Sequence, residues 1–250
     1  MKIGILGFGN LGNALAKGLI RSGSVSAKDI YVCDSSPEMR ALAHDELSVN
    51  VSGDADYAFG SADIIFLVVK GHVFERISGG IDKGSVTGKT VVSFMAGMQL
   101  ETLRDLIGEG AVIVRAMPSL AIAACDGVIG YTKAPADVAE IFHKLGYAFE
   151  TEPENIEKVM AFSSCGLGFA AYLIDAFSAA GLGMGFSPET CAGIASRTFK
   201  NALDRGDFKQ TVMAVATPGG ATEQGIVHMN ESGVCDIVAQ AVRKAYDKMT

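Results

Sequence analysis

The segment Gly7-Phe8-Gly9-Asn10-Leu11-Gly12 has the spacing G-x-G-x-x-G, between an apolar run at residues 2–6 and an amphipathic pattern at 11–21. In that context the motif predicts a strand–turn–helix unit that holds a diphosphate. Gly7 permits the tight turn, Gly9 lets the backbone approach the pyrophosphate, and Gly12 lets the helix lie close to the sheet. The helix N-terminus faces the negative charge with unpaired N–H groups and the positive end of its dipole. A glycine turn without a ligand is the plain alternative. Asp34 stands at the end of the next strand pattern, where a carboxylate accepts hydrogen bonds from an adenosine 2′-OH and repels a 2′-phosphate, favouring NAD(H) over NADP(H). Ser35, Ser36 and Arg40 follow and could hold a phosphate if Asp34 turns away; Asp34 could also be a simple turn residue before Pro37.

A second group of residues, Thr217-Pro218-Gly219-Gly220-Ala221-Thr222, reads as a helix start. Thr217 is the expected N-cap, Pro218 suits the first helical position, and Gly219 and Gly220 leave the first amides sterically open. Such a start receives a carboxylate or a phosphate, and Thr222 would add a hydroxyl one turn on; an ordinary capped helix is the alternative. Lys70 and His72 follow the strand pattern at 64–69, at the carboxyl edge where cofactors bind. Lys70 could meet a nicotinamide ribose or merely cap the strand. His44, His143 and His228 are isolated. Five widely spaced cysteines, Cys33, Cys125, Cys165, Cys191 and Cys235, lack any C-x-x-C spacing, which predicts reduced, mostly buried thiols and no metal site.

The elements that must position these residues alternate over the first 150 positions. Strands are expected at 2–6, 30–33, 64–69, 90–94, 112–115 and 127–131, with helices at 11–21, 38–43, 73–81 and 100–107 and a closing helix and strand at 136–144 and 147–150. That alternation implies βαβ units and a parallel sheet, with the wholly apolar run at 64–69 as a central strand. After Pro153 the pattern becomes helical, at 154–162, 168–180, 188–205, 207–215, 219–230 and 234–249. The fold class predicted is an α/β Rossmann-type dinucleotide-binding domain, residues 1–152, followed by an all-α substrate-binding and dimerisation domain, 153–250. The apolar stretch 159–186 is long enough to cross a membrane, but Ser163, Ser164, Asp175 and Ser178 within it favour a pair of buried helical segments.

With 49% apolar and 20% charged residues among 250, the chain is globular in composition, and 28 acids against 21 bases give a net charge of −7. That sign argues against nucleic acid or an anionic membrane as the main partner. The N-terminus shows no charged and apolar leader, so a cytoplasmic protein is expected. The helices at 168–180 and 188–205 are apolar on several faces, which predicts a homodimer or higher homo-oligomer through the C-terminal helices.

Gly7 to Gly12, Val68-Val69-Lys70, Ala96-Gly97, Arg115-Ala116-Met117-Pro118 and the 217–222 element occur in an order and spacing that resembles pyrroline-5-carboxylate reductases over nearly the whole chain. The resemblance implies reduction of the cyclic imine 1-pyrroline-5-carboxylate to proline by NAD(P)H. It also implies that Thr222 hydrogen-bonds the ring nitrogen, that Thr217 with the amides of Gly219 and Gly220 holds the carboxylate, and that Ala96 and Met117 line the nicotinamide pocket. A cyclic imine can bind already protonated, so hydride addition needs positioning and electrostatics more than a strong base, and no metal. The chain departs from the family pattern at Ser119, where an asparagine is usual, and at Leu167 and Phe169, where proline and tyrosine are usual. The alternatives are a reductase of another cyclic imine, a β-hydroxyacid dehydrogenase using Lys158 or Lys200, and a non-catalytic nucleotide-binding regulator.

Overall fold

A computed structural model describes residues 1–249. By its internal contacts the chain forms two units, Met1–Ser164 joined by the C-terminal stretch from Tyr246, and Cys165–Ala245. Residues 153–164 stay with the first unit because Ile156, Glu157 and Ala161 are buried in it.

The first unit carries eight strands among the described residues: β1 (Ile3–Leu6), β2 (Ile30–Cys33), β3 (Asn50–Ser52), β4 (Ile64–Leu67), β5 (Thr90–Ser93), β6 (Val112–Pro118), β7 (Gly127–Tyr131) and β8 (Gly146–Glu150). They form one sheet in the order β3-β2-β1-β4-β5-β6-β7-β8. The strands from β1 to β6 run parallel, and the chain progresses outward from β1 in one direction, then returns to β4 and progresses in the other. The carboxyl ends of β1 and β4 therefore flank the crevice where such sheets bind ligands. In β4 alternate residues divide between two cores: Ile64 and Phe66 join the cluster of Ile3, Leu15 and Phe142, and Ile65 and Leu67 join that of Phe59, Phe74 and Val91. A strand covered on both faces has no use for polar residues, which accounts for its composition.

The sheet departs from the expected all-parallel pattern at β6 and β7, which pair antiparallel. Only the short 3-10 segment Leu120–Ala124 links them, too little chain for the crossover that parallel neighbours require. Strand β3 escapes prediction because its three residues are half-buried at the sheet edge and show no apolar alternation. The helices of this unit are α1 (Asn10–Arg21), α2 (Pro37–Leu47), α3 (Ala55–Ser61), α4 (Gly71–Ser78), α5 (Leu100–Ile107), α6 (Ala136–Leu145) and the short α7 (Ile156–Val159), which a π-turn extends over Met160–Ser164.

The second unit contains α8 (Cys165–Gly183), α9 (Pro188–Arg205), α10 (Phe208–Val215), α11 (Ala221–Glu231) and most of α12 (Val234–Asp247). Ser187 caps α9 as expected, its hydroxyl accepting from the Thr190 amide at 3.2 Å with Pro188 in the first turn. Asp207 caps α10 through the Gln210 amide at 3.0 Å. The rings of Phe177 and Phe199 meet edge-on at 5.7 Å between α8 and α9. The expectation of two buried segments over 159–186 is corrected. A stretch long and apolar enough to cross a membrane does run from Pro153 to Gly183, but none of α8 is buried within the single chain. Tyr172, Phe177, Met184, Met213 and Ile237 likewise lie exposed, because a bundle of this size cannot cover helices that are apolar all round. The thiols are also less buried than predicted: Cys33 and Cys191 are buried, whereas Cys235 is exposed.

Phe142 of α6 is fully buried, with its ring 5.0 Å from Tyr131 and 6.5 Å from Phe66, and so joins three elements of the first core. Phe142→Ala is expected to lower unfolding stability by about 3–5 kcal/mol in denaturant titration, and a loss under 1 kcal/mol would contradict this packing.

Candidate functional site

The G-x-G-x-x-G segment folds as a tight turn from β1 into α1. Gly7 has φ +100° and donates its amide to Cys33 O at 2.8 Å. A side chain there would place its Cβ 2.8 Å from Val68 O, and one at Gly12 would lie 2.1 Å from Gly7 O. Both positions therefore admit only glycine if the helix is to sit this close to β1 and β4. Gly9 differs: it is the N-cap of α1, and no protein atom lies within 4 Å of where its Cβ would be. That open side, next to amides with no partner inside the helix, is the space an approaching diphosphate needs. Asn10 begins the helix and Leu11 follows. Phe8 turns its side chain into the core and offers only its amide, donated to Asp34 Oδ2 at 2.7 Å.

Asp34, just beyond β2, is held at both oxygens, since Oδ1 accepts from the Ser36 amide at 2.9 Å. It lines a cleft of about 400 Å³ with Gly7, Ser35, Asp54, Val69 and Arg76. Of the candidate phosphate-binding groups, Ser36 and one nitrogen of Arg40 are engaged. Ser36 donates its hydroxyl to Glu38 Oε2 at 2.5 Å, which holds that carboxyl below its ordinary range, and Arg40 Nη1 donates to the carbonyls of Asp34 and Ser35 at 2.8 and 3.0 Å. Beneath the cleft Cys33 is pushed up to about 11 by burial, aided by the carboxylates of Asp34 and Asp54, so its thiol stays neutral.

A second cleft of about 350 Å³ lies beyond β4 and β6 and is lined by Leu11, Val69, Lys70, Ala96, Met117 and Met160, among others. Val69 lines both clefts, so the two chambers flank it at the end of β4 beside the glycine turn. One chamber offers the Asp34 carboxylate and the other a largely apolar wall, a contrast that suits the two unlike halves of a dinucleotide. Sequence reasoning missed Arg76 and Ile77 of α4, although its helical pattern covers them. It also missed Met160 and Ser164, which the π-turn presents; Ser164 Oγ donates to Pro118 O at 3.0 Å. Single π-turns are frequent at functional sites and carry no short-range sequence signature.

In the second unit the 217–222 element corrects the expected cap. Gly220, not Thr217, is the N-cap of α11, and the helix begins at Ala221. Thr217-Pro218-Gly219 forms a turn instead, because Gly219 has φ +72°, outside the helical region. Gly220 donates its amide to Thr217 O at 2.8 Å, and Gly219 donates to Glu223 Oε2 at 2.7 Å. The first-turn amides left without a partner inside the helix are those of Ala221, Thr222 and Glu223. A carboxylate thus already sits on one donor of this element.

Other candidates fall away from the clefts. His72 is exposed in the first turn of α4 and lines neither. Lys158 donates to Asn155 Oδ1 at 2.8 Å and Lys200 pairs with Asp204 at 2.5 Å on the surface, so neither stands as a catalytic lysine. Ser119 Oγ accepts from the Val128 amide at 3.1 Å, which commits the hydroxyl to the β6–β7 ladder. Among the described residues no three His, Cys, Asp or Glu side chains cluster as a metal site.

The sheet order and the turn define an NAD(P)-binding oxidoreductase. Residues 2–97 match the family model for NADP oxidoreductase, coenzyme F420-dependent, and residues 153–250 match that for pyrroline-5-carboxylate reductase dimerisation. The chain is 29% identical to the pyrroline-5-carboxylate reductase of Escherichia coli and 27% to that of Aquifex aeolicus, covering 99% of this chain and 96% of each relative. Its fold matches a Plasmodium falciparum pyrroline carboxylate reductase solved with NADP bound, at TM-score 0.90 and 22% identity over 100% of this chain and 97% of that one. A Streptococcus pyogenes 1-pyrroline-5-carboxylate reductase gives TM-score 0.89 at 21% identity over 100% and 98%. The chain belongs to the pyrroline-5-carboxylate reductase family.

Proposed function

We propose that this chain reduces 1-pyrroline-5-carboxylate to L-proline, with NADH as the preferred donor. The observation that carries the reading is the Thr217-Pro218-Gly219-Gly220-Ala221-Thr222 element, present in full in a chain of this family and folded as a glycine turn into open helix amides.

The two clefts on either side of Val69 fit a dinucleotide, with the diphosphate over Gly9, the adenosine ribose at Asp34 and Ser35, and the nicotinamide end beside Val69, Lys70 and Ala96. Bound there, reduced nicotinamide supplies a hydride. The fixed Asp34 carboxylate and the neighbouring Glu38 disfavour a 2′-phosphate, which supports NADH. Met117 adds an apolar surface at the nicotinamide end of the second cleft. The Thr217 hydroxyl and the Gly219 amide hold the substrate carboxylate; Gly219 already donates to a carboxylate, that of Glu223, which the substrate replaces, and Gly220, whose amide closes the turn onto Thr217 O, shapes the cradle without donating to the ligand. The Thr222 hydroxyl orients the ring nitrogen. The substrate enters with that nitrogen protonated, so hydride addition to the adjacent carbon moves the C=N π pair onto nitrogen and gives the neutral amine without a protein acid. Positioning and exclusion of water supply most of the rate.

The match of 153–250 to the dimerisation model and the exposed apolar helices support a homodimer through this region, in place of a membrane-spanning role for α8.

Following absorbance of NADH and NADPH side by side, oxidation is expected only when 1-pyrroline-5-carboxylate is added, and faster with NADH. Turnover with NADPH alone would refute the role of Asp34, and no turnover with either would refute the reaction. Thr222→Val is expected to lower kcat/KM by one to two orders of magnitude, about 1.4–2.7 kcal/mol, with NADH affinity kept within twofold; unchanged activity would remove Thr222 from the site.

A further inference from the structure

Three separate segments supply the wall of the second cleft: Ala96 after β5, Met117 in β6 and Met160 after α7. Each lies within three residues of one buried ionic cluster. Arg115, two residues before Met117, is fully buried, and Glu157, one turn before Met160, is 3% exposed. Arg115 Nη2 donates to Glu157 Oε1, and its Nη1 donates to Pro153 O at 3.3 Å. The same Glu157 oxygen accepts the amide of Gly97, next to Ala96, at 3.1 Å. Gly97 is left-handed at φ +71°, so its peptide is set in a conformation that other residues rarely adopt. Thr132 Oγ1 receives the Arg115 amide at 2.9 Å and fixes the strand end of the cluster.

A full charge pair this deep is expensive to desolvate, and apolar residues of similar size would pack there at least as well. Arg115 Nε, moreover, is buried with no partner among the described residues. Stability alone therefore explains the cluster poorly. Its geometry does something an apolar contact cannot: one carboxylate oxygen sets the orientation of the Gly97 peptide while the guanidinium locks that carboxylate to β6.

We propose that Glu157 is a positioning residue, which with Arg115 holds the Ala96-Gly97 loop at the register that shapes the nicotinamide end of the cofactor site. The inference rests on the dinucleotide reading of the two clefts. It predicts that disturbing the cluster weakens binding of the nicotinamide half and leaves the adenosine half untouched, since Asp34 and Ser35 line the other cleft.

The test compares Glu157→Gln, which removes the charge but keeps the shape, with Gly97→Ala, which strains the loop and leaves the ion pair in place. For each, dissociation constants are measured for NADH by its fluorescence and for ADP-ribose, which lacks the nicotinamide, by calorimetry. Both variants are expected to bind NADH at least tenfold more weakly and ADP-ribose within twofold of wild type, with kcat reduced. Unchanged NADH affinity overturns the proposal, as does an equal loss for both ligands, which would mark the cluster as a general stabilising device. If Glu157→Gln does not fold, Gly97→Ala decides by the same criteria. Wild-type protein that binds neither ligand would refute the dinucleotide reading itself, a result distinct from wild-type binding with unaltered variants.

Discussion

Everything in the first unit depends on how closely α1 approaches the sheet. The ideal Cβ of residue 12 would stand 2.1 Å from Gly7 O, so any side chain would force the helix off the carboxyl ends of β1 and β4. That contact aims the first amides of α1 at the crevice where the sheet order reverses, and the Phe8 amide in the same turn anchors Asp34. A displaced helix would lose the open amides beside Gly9 and the anchor of Asp34 together, because both are referred to the same few backbone atoms.

The parts legible in the sequence are those with a local cause. The glycine spacing, the wholly apolar β4 and the Ser187-Pro188 start of α9 each follow from steric or capping rules acting within a few residues. The parts that were not legible depend on partners far along the chain. Strand β3 exists because β2 offers it an edge, and β7 turns antiparallel because a short link leaves no other route. Arg115 and Glu157 are 42 residues apart, and nothing local marks them as a pair.

The candidate site was legible unevenly for the same reason. The residues of the glycine turn, with Asp34, Val69, Lys70, Ala96 and Met117, all come to the turn or to the two clefts. The Thr217 cap was misassigned because the left-handed turn at Gly219 shifts the helix start to Ala221, a backbone choice that glycine permits but does not announce. Burial failed as a guide in the helical unit, where an apolar pattern describes a surface that this chain does not itself cover.

We propose that the second cleft holds the nicotinamide end of NADH, from which a hydride passes to a cyclic imine. It is tested most directly by turning over 1-pyrroline-5-carboxylate with NADH deuterated at the transferable C4 position and analysing the product by NMR. The account predicts proline carrying deuterium at the ring carbon that neighbours nitrogen and bears no carboxylate. Proline without deuterium there, or no proline at all, would contradict it.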